Sequence, residues 1–537
     1  MTTTSVDVKT LTIDGQEVSA RAGQTILEVA REHNIHIPTL CHLDGLSDVG
    51  ACRLCVVEIK GGNKLLPACV TTVFEGMDVT TNTERLQSHR RIILELLFAE
   101  RNHICSVCVA NGHCELQTLA QEQGVTHVRV PYRNPELPVD ASHERFTLDH
   151  NRCIMCTRCV RFTREVSGEG ELYVDGRGYK EEIDIFPGKP INNKLAGNVV
   201  DLCPVGALLD KDFLFKQRVW LLKSVPSISP VDSGGENIFL DHNEGIIYRI
   251  KPRFNAEINH WWISDDTRYS YKAVHSANRL KQPRRTQYGS QVNTTYGQAI
   301  EDAQAGLKEA VTHGPGSLYA VLSPMMACEE AYLLGMYIRS LDPQAVLVIG
   351  PIPSTGKNEV FRNPANGKQT FEIQAEKVPN TNGIRRVITK LGGPSCTWDE
   401  LAANEKPELK SLKAGWIVGG YLSNWQPATP VLPKGFKIVQ DILASSLADS
   451  ADVLLPAAAW AEKDGSWENY QNKIQHFSAA ITPVEGARRE GDVYYTLLGR
   501  PGLYNALVVR QEMGEPFAAV ALPDHAAAAP AMEFAAL

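Results

Sequence analysis

Thirteen cysteines stand in this chain, and eleven of them fall between Cys41 and Cys203, leaving only Cys328 and Cys396 for the rest. The opening MTTTSVDVKT lacks a basic segment followed by an apolar one, so the chain reads as unexported. A reducing compartment keeps thiols free for metals or catalysis rather than disulfides, which makes metal binding the leading explanation of the crowding. Cys41, Cys52, Cys55 and Cys69 are spaced C-x10-C-x2-C-x13-C. Four thiolates suit a [2Fe–2S] core, because soft sulfur donors match iron. The loop CHLDGLSDVGAC contains glycine and can turn its backbone N–H groups inward toward bridging sulfides. Structural zinc is the competing reading, but zinc sites usually take two close pairs, and here only Cys52 and Cys55 are close.

In RNHICSVCVANGHCELQ, Cys105, Cys108 and Cys114 are spaced C-x2-C-x5-C. Three thiolates leave one iron of a [4Fe–4S] cubane without a ligand. A neutral imidazole can replace a thiolate; His103 is the nearest candidate, and His113, which would have to fold back from beside Cys114, is the rival. In NRCIMCTRCVRF, Cys153, Cys156 and Cys159 form a close triad, followed at a distance by Cys203 and Pro204 in DLCPVGAL. A close triad plus a remote Cys-Pro is a ferredoxin arrangement for a second [4Fe–4S] cubane. With no further triad for it to serve, Cys203 completes the site begun by Cys153. Arg152, Arg158, Arg161 and Arg164 either balance cluster charge or form a solvated face.

The elements that must carry these residues belong to several domains. A chain of 537 residues exceeds one core, and a prior of roughly 100–200 residues per domain gives about three to five units. Hydrophobic residues at 43% and charged residues at 22% are ordinary globular proportions. The net charge of −8 argues against a nucleic-acid partner, since neutralising phosphates needs surplus Lys and Arg. No run approaches the roughly 20 apolar residues of a membrane span.

VKTLTI and EVSA flank Asp14-Gly15, a hairpin signal. TILEVAREHN has helical periodicity, and CRLCVVEIKG, NKLLPACVTTV and MDVTT read as short strands. TERLQSHRRIILELLFAERN predicts a long amphipathic helix capped by Thr83. Beyond Cys203, NIFLDHNEGIIYRIKPR predicts a hairpin around Asn243-Glu244-Gly245. From about Arg285, helical YGQAIEDAQAGLKEAV alternates with strand-like SLYAVLS, AVLVIG and AGWIVGG, the signature of an α/β domain.

These motifs, in this order, resemble the amino-terminal region of the large iron–sulfur (G) subunit of respiratory complex I and of the diaphorase subunit of NAD-linked [NiFe] hydrogenases. PTLCHLDGLSDVGACRLCVVEIKG and LLFAERNHICSVCVANGHCELQ are closer to the hydrogenase wording. CTRCVRFTREVSGEGEL, GNVVDLCPVGALLDK and FKQRVW are similar to the complex I subunit. The complex I pattern sets its ligand histidine four residues before the second site, where this chain has Arg101. His103 matches the hydrogenase-type wording, so the ligand role passes to His103. IIYRIKPRFNAEINHWWISDDTRY and SADVLLPAAAWAEKDGSWENYQNKIQ resemble a reduced molybdopterin oxidoreductase. Where that family places a further cubane, SVPSISPVDSGG and Ser264 offer serines, and Cys328 and Cys396 read as buried thiols.

The resemblance implies a multidomain α+β and α/β chain. Its parts are a β-grasp [2Fe–2S] domain (1–80), a His/Cys3 [4Fe–4S] module (81–145), a ferredoxin-like [4Fe–4S] domain (146–222), a small β module without cysteines (223–284), a degenerate molybdopterin-oxidoreductase-like scaffold (285–515) and an Ala/Pro-rich tail (516–537). It carries no molybdopterin and no substrate-converting site. No GxGxxG or P-loop accompanies the cysteines, so FMN and NADH bind a partner subunit. Electrons from that flavin-bearing NADH dehydrogenase subunit and its [2Fe–2S] companion pass through this chain to cluster-bearing subunits of a quinone-reducing module. The implied location is the bacterial cytoplasm, on the inner membrane's cytoplasmic face through partners. The same relay in a soluble hydrogenase or an NAD-dependent formate dehydrogenase is the alternative, and a molybdenum or tungsten enzyme acting directly on substrate the remote one.

Overall fold

A computed structural model describes residues 8–403, 406–423 and 432–520. The chain divides into two units after Leu222, with Phe361–Phe371 grouped with the first. In the first unit, β1 (Val8–Ile13) and β2 (Gln16–Arg21) form an antiparallel hairpin. Asp14 and Gly15 turn it with φ of 50° and 81°, the two positive angles that a tight primed turn needs. α1 (Ile26–Glu32) begins at a capping box: the Thr25 hydroxyl accepts from the Glu28 N–H, and the Glu28 carboxylate accepts from the Thr25 N–H, so two donors at the helix start are satisfied.

β3 (Val56–Ile59), β4 (Leu66–Pro67) and β5 (Asp78–Thr80) complete a mixed sheet in the order β2-β1-β5-β3-β4. Ile26, Leu27, Val29 and Ala30 of α1 pack on Leu11, Ile13, Val57 and Val79, and Cys55 and Cys69 belong to the same core. The strand predicted over NKLLPACVTTV shrinks to Leu66–Pro67. Pro67 has no N–H to extend a ladder, and the chain turns at once, Val70 donating to the Pro67 carbonyl.

α2 (Glu84–Glu100) is capped by Thr83, which accepts from the Leu86 N–H. Arg90, buried on this helix, donates to the carbonyls of Leu54, Val56 and Thr81, clamping α2 to the backbone on either side of Cys55. Next come α3 (Glu115–Glu122), β6 (Val139–Asp140), β7 (Phe146–Asp149), α4 (Arg158–Glu165), the hairpin of β8 (Leu172–Asp175) and β9 (Glu182–Ile185), α5 (Asn198–Leu202) and β10 (Leu208–Asp210). β10, β7 and β6 pair in that order, which brings the chain after Cys203 back beside the chain before Cys153.

In the second unit, Lys223–Ile228, Asn237–Asn243 and Ile246–Pro252 form an antiparallel sheet. The larger sheet has eight strands. Its parallel part runs Val453–Pro456, Phe436–Asp441, Ala414–Val418, Leu318–Leu322, Val346–Ile349, Ser395–Thr397, and an antiparallel hairpin of Arg284–Gln287 and Ser290–Asn293 lies at the Val453–Pro456 edge. Leu318, Ala320 and Leu322 enter one core with helices Tyr296–Val311 and Cys328–Leu341, while Tyr319 and Val321 enter the other with Trp398 and Leu447. Burial on both faces explains why these strands are apolar throughout. Among the described residues no helix is long and apolar enough to cross a membrane.

Candidate metal centres

At the first constellation the thiols meet. The Cys41 side chain bonds those of Cys52 and Cys69, and the sulfurs of Cys55 and Cys69 lie 3.4 Å apart. Cys41, Cys55 and Cys69 are buried. Backbone N–H groups of Ala51 and Cys52 point at the Cys41 sulfur. The bonds from Cys52 and Cys69, together with those N–H groups, hold the Cys41 thiol far below its ordinary pKa. In return, the bond to Cys41 and then burial push Cys52 up. A thiolate within a nest of thiols is a donor set prepared for a soft cation.

At the second constellation, Cys105 and Cys108 flank a short turn, and Cys114 stands at the N-cap of α3. Burial raises the Cys114 thiol to about 12. Nε2 of His103 is buried and has no hydrogen-bond partner among the described residues. Burial first, then the charges of Arg152 and Arg101, lower its pKa to about 4, while the Leu97 backbone bonds the ring. The Phe98 ring sits edge-on to it at 5.4 Å. A neutral imidazole with one nitrogen open and the ring held by backbone is the state a metal-ligating histidine needs. His113 lies in the turn before Cys114, its backbone N–H on the Ala110 carbonyl.

At the third, Cys153 follows a short turn, Cys159 is on α4, and Cys203 is the C-cap of α5. Met155 and Thr157, with φ of 54° and 59°, fold the backbone tightly around Cys156. Burial raises Cys153 to about 12 and Cys156 to about 11, and Cys159 is raised by burial and further by the charges of Cys156, Cys153 and Cys203. Backbone N–H groups of Leu208, Val205 and Ala207 point at the Cys203 sulfur.

One apolar cluster joins the three sites. Leu40, Leu54, Leu94, Leu116, Val205 and Ala207 form it, and Cys52, Cys114, Cys153 and Cys203 pack against it. The second and third sites also touch directly: a Cβ on Gly206 would stand 2.6 Å from the Cys108 sulfur, and the Glu115 N–H donates to the Pro204 carbonyl at 2.9 Å. The four arginines divide. Arg164 is exposed and Arg152 pairs with Asp149, whereas Arg158 and Arg161 are only 2% and 5% exposed. Sequence reasoning missed Glu115, which takes a two-pronged bond from Arg158 at 2.6 and 2.8 Å. Its place directly after Cys114 in a helix's first turn was the available signal.

Among the described residues no three His, Cys, Asp or Glu side chains are drawn round a single ion position. A cluster spreads its protein ligands over several irons, so the donor chemistry carries the fit: four thiols at the first site, four at the third, and three with an open imidazole at the second. In the second unit, Cys328 lies 3.4 Å from the Asn380 side-chain oxygen, and burial raises both its thiol and that of Cys396. The serines of 224–235 and Ser264 face no thiol partner: the Ser229 and Thr267 hydroxyls are 2.6 Å apart, and Ser264 donates to Thr267 at 3.0 Å.

Residues 8–84 match the family model for a 2Fe-2S iron-sulfur cluster binding domain. Residues 90–129 match the NADH-ubiquinone oxidoreductase-G iron-sulfur binding region, and 144–209 the ferredoxin-like domain of NADH-quinone oxidoreductase subunit 3. Curated relatives include the 78 kDa NADH-ubiquinone oxidoreductase subunit of Candida albicans, 33% identical over 63% of this chain and 47% of its own length. The 75 kDa NADH-ubiquinone oxidoreductase subunit of Reclinomonas americana is 32% identical over 65% of this chain and 50% of its own length. The resemblance to the complex I iron–sulfur subunit holds. The chain spans about half the length of these relatives. Residues 222–272 match the NDSU1/NuoG-like 4Fe-4S domain, although that stretch contains no cysteine, and 396–500 match molybdopterin oxidoreductase. Among solved structures, a chain of an NAD+-reducing [NiFe]-hydrogenase is 35% identical, with 39% of this chain and 91% of that chain covered and a TM-score of 0.37.

Proposed function

We propose that this chain is the electron-relay subunit of a complex I type NADH dehydrogenase. Cys41, Cys52, Cys55 and Cys69 would hold a [2Fe–2S] cluster. His103, Cys105, Cys108 and Cys114 would hold one [4Fe–4S] cluster, and Cys153, Cys156, Cys159 and Cys203 a second. The observation that carries this reading is one apolar core against which at least one cysteine of each set packs, Cys52, Cys114, and Cys153 with Cys203, so that the three candidate sites share a wall. When bound, such clusters accept and donate single electrons. The chain's own part is to exclude solvent, to aim backbone N–H groups at sulfur, and to keep His103 neutral, because hydrogen bonds and burial around a cluster tune its potential.

On this reading the domains run 1–80, 81–145, 146–222, 223–284 and 285–515, with a β-grasp fold for the first and a scaffold without molybdopterin for the last. The tail proposed from 516 lies, from residue 521 on, outside the described residues. NADH and flavin reside on a partner subunit, and a quinone-reducing module on the cytoplasmic face of a membrane receives the electrons.

Anaerobic reconstitution of the full chain tests the reading, with about 10 iron atoms per chain expected from one [2Fe–2S] and two [4Fe–4S] clusters. Stoichiometric zinc, or about half that iron, overturns it. Purification from the native source separates the acceptors: quinone-reducing membrane subunits are expected, and a nickel-bearing subunit in their place assigns the relay to a hydrogenase.

A further inference from the structure

Two buried guanidinium groups tie backbone of the first and third candidate sites to each other and to a carboxylate beside the second. Arg158 donates to the His42 carbonyl, next to Cys41, at 2.8 Å, and to the Leu202 carbonyl, next to Cys203, at 3.3 Å, while its fork grips Glu115, next to Cys114. Arg161 donates to the carbonyls of Cys41, Ser47 and Cys156. Both side chains leave α4, the helix that carries Cys159, and their spacing of three places them on one helical face. Nε of each is buried without a partner, so what the two side chains gain comes through their terminal nitrogens, which are spent on these contacts. The loops that carry Cys41, Cys114 and Cys203 otherwise belong to different stretches of sequence. Only a planar fork with several donors can address so many acceptors at once; a lysine ammonium is a single point of charge.

We propose that Arg158 and Arg161 are positioning residues that set the separations between the three sites and thereby the rate at which electrons redistribute among them. The proposal rests on the three-cluster reading. Each exchange moves one electron, oxidising the donor site and reducing its neighbour by one, and no bond forms or breaks. Its rate falls steeply with distance, so a loop that drifts outward while keeping its ligands slows the relay and leaves the metal in place. The arginines do not touch the metal.

The test uses the full chain, reconstituted anaerobically, as wild type, Arg158→Gln, Arg158→Lys and Arg161→Gln. Iron per chain, the EPR signal of each site, the spin–spin coupling between reduced neighbours, and the redistribution rate after flash reduction are read in turn. In all three variants iron and the individual signals are retained, the coupling changes, and redistribution slows by about tenfold or more. Arg158→Lys, which keeps the charge and loses the fork, behaves like Arg158→Gln. A lysine variant with the wild-type rate shows that charge alone matters and overturns the proposal, as does full iron with unchanged coupling and rate, or iron lost in step with rate. Should the arginine variants fail to fold, Glu115→Gln decides: it keeps both arginines and loosens only the tether to α3, and an unchanged coupling to the second site then overturns the idea. A wild-type chain that takes up no iron defeats the three-cluster reading itself, before any variant is compared.

Discussion

Residues 144–209 and 222–272 both match cluster-domain families of the same respiratory enzyme, yet they fill their interiors in different ways. In the first, four thiols lie under burial that raises every one of them; on the three-cluster reading a soft cation would offset that cost by taking up thiolate. In the second, several hydroxyls and a carboxylate bond one another. Ser229 and Thr267 bond, Ser264 bonds Thr267, and Glu236 accepts from the Ser264 N–H at 3.1 Å. On the proposed reading, the first interior is left for a cluster to complete, while the second meets part of its hydrogen bonding with its own side chains.

The sharpest way to break this contrast is a paired substitution. Cys156→Ala is expected to remove about four of about 10 irons from the reconstituted chain. Ser264→Ala leaves iron content untouched and, because the Ser264 hydroxyl caps the short helix Asp265–Arg268, lowers stability in urea titrations by about 0.5–2 kcal/mol. If Ser264→Ala also changes iron content, the second region is not metal-independent.

Within the cysteine-bearing unit, His103→Ala is expected to shift or abolish the EPR signal of the second site, whereas His113→Ala leaves it unchanged. An unaltered signal in the His103 variant removes that residue from the ligand set.

A smaller effect concerns pH. Burial, then the charge of Asp232, raises Glu236 from the usual carboxylate value of 4.5 to about 8. Below the ordinary range, folded and unfolded chains both hold the proton and this contribution to stability is complete. As pH rises toward about 8, the unfolded chain has released its proton while the folded one still retains it, so stability declines through that window. Glu236→Gln is expected to flatten the decline in melting temperature between those limits, and an unchanged slope assigns it to other groups.

Much of the local structure was legible because its causes are local. Asp14-Gly15 requires positive φ, Thr83 caps the helix beside it, and the alternating elements after Arg285 declare a sheet covered on both faces. The cysteine spacings sorted the thiols into three candidate sets for the same reason. What stayed hidden depends on residues far apart in sequence. Arg158 reaches a carbonyl 116 residues away and a carboxylate 43 residues away, so sequence could only leave it between charge balance and solvated face; burial decides against the solvated face. Pro67 cut short a predicted strand through a missing donor whose partner lies in another strand, again out of local view.

The apolar cluster shared by Cys52, Cys114, Cys153 and Cys203 bears on how the chain would take up metal. On the three-cluster reading, a site left open leaves one wall of that common core unfinished. Iron scarcity would then be felt beyond the site it leaves empty: a chain short of one cluster would keep the others yet offer proteases a looser core.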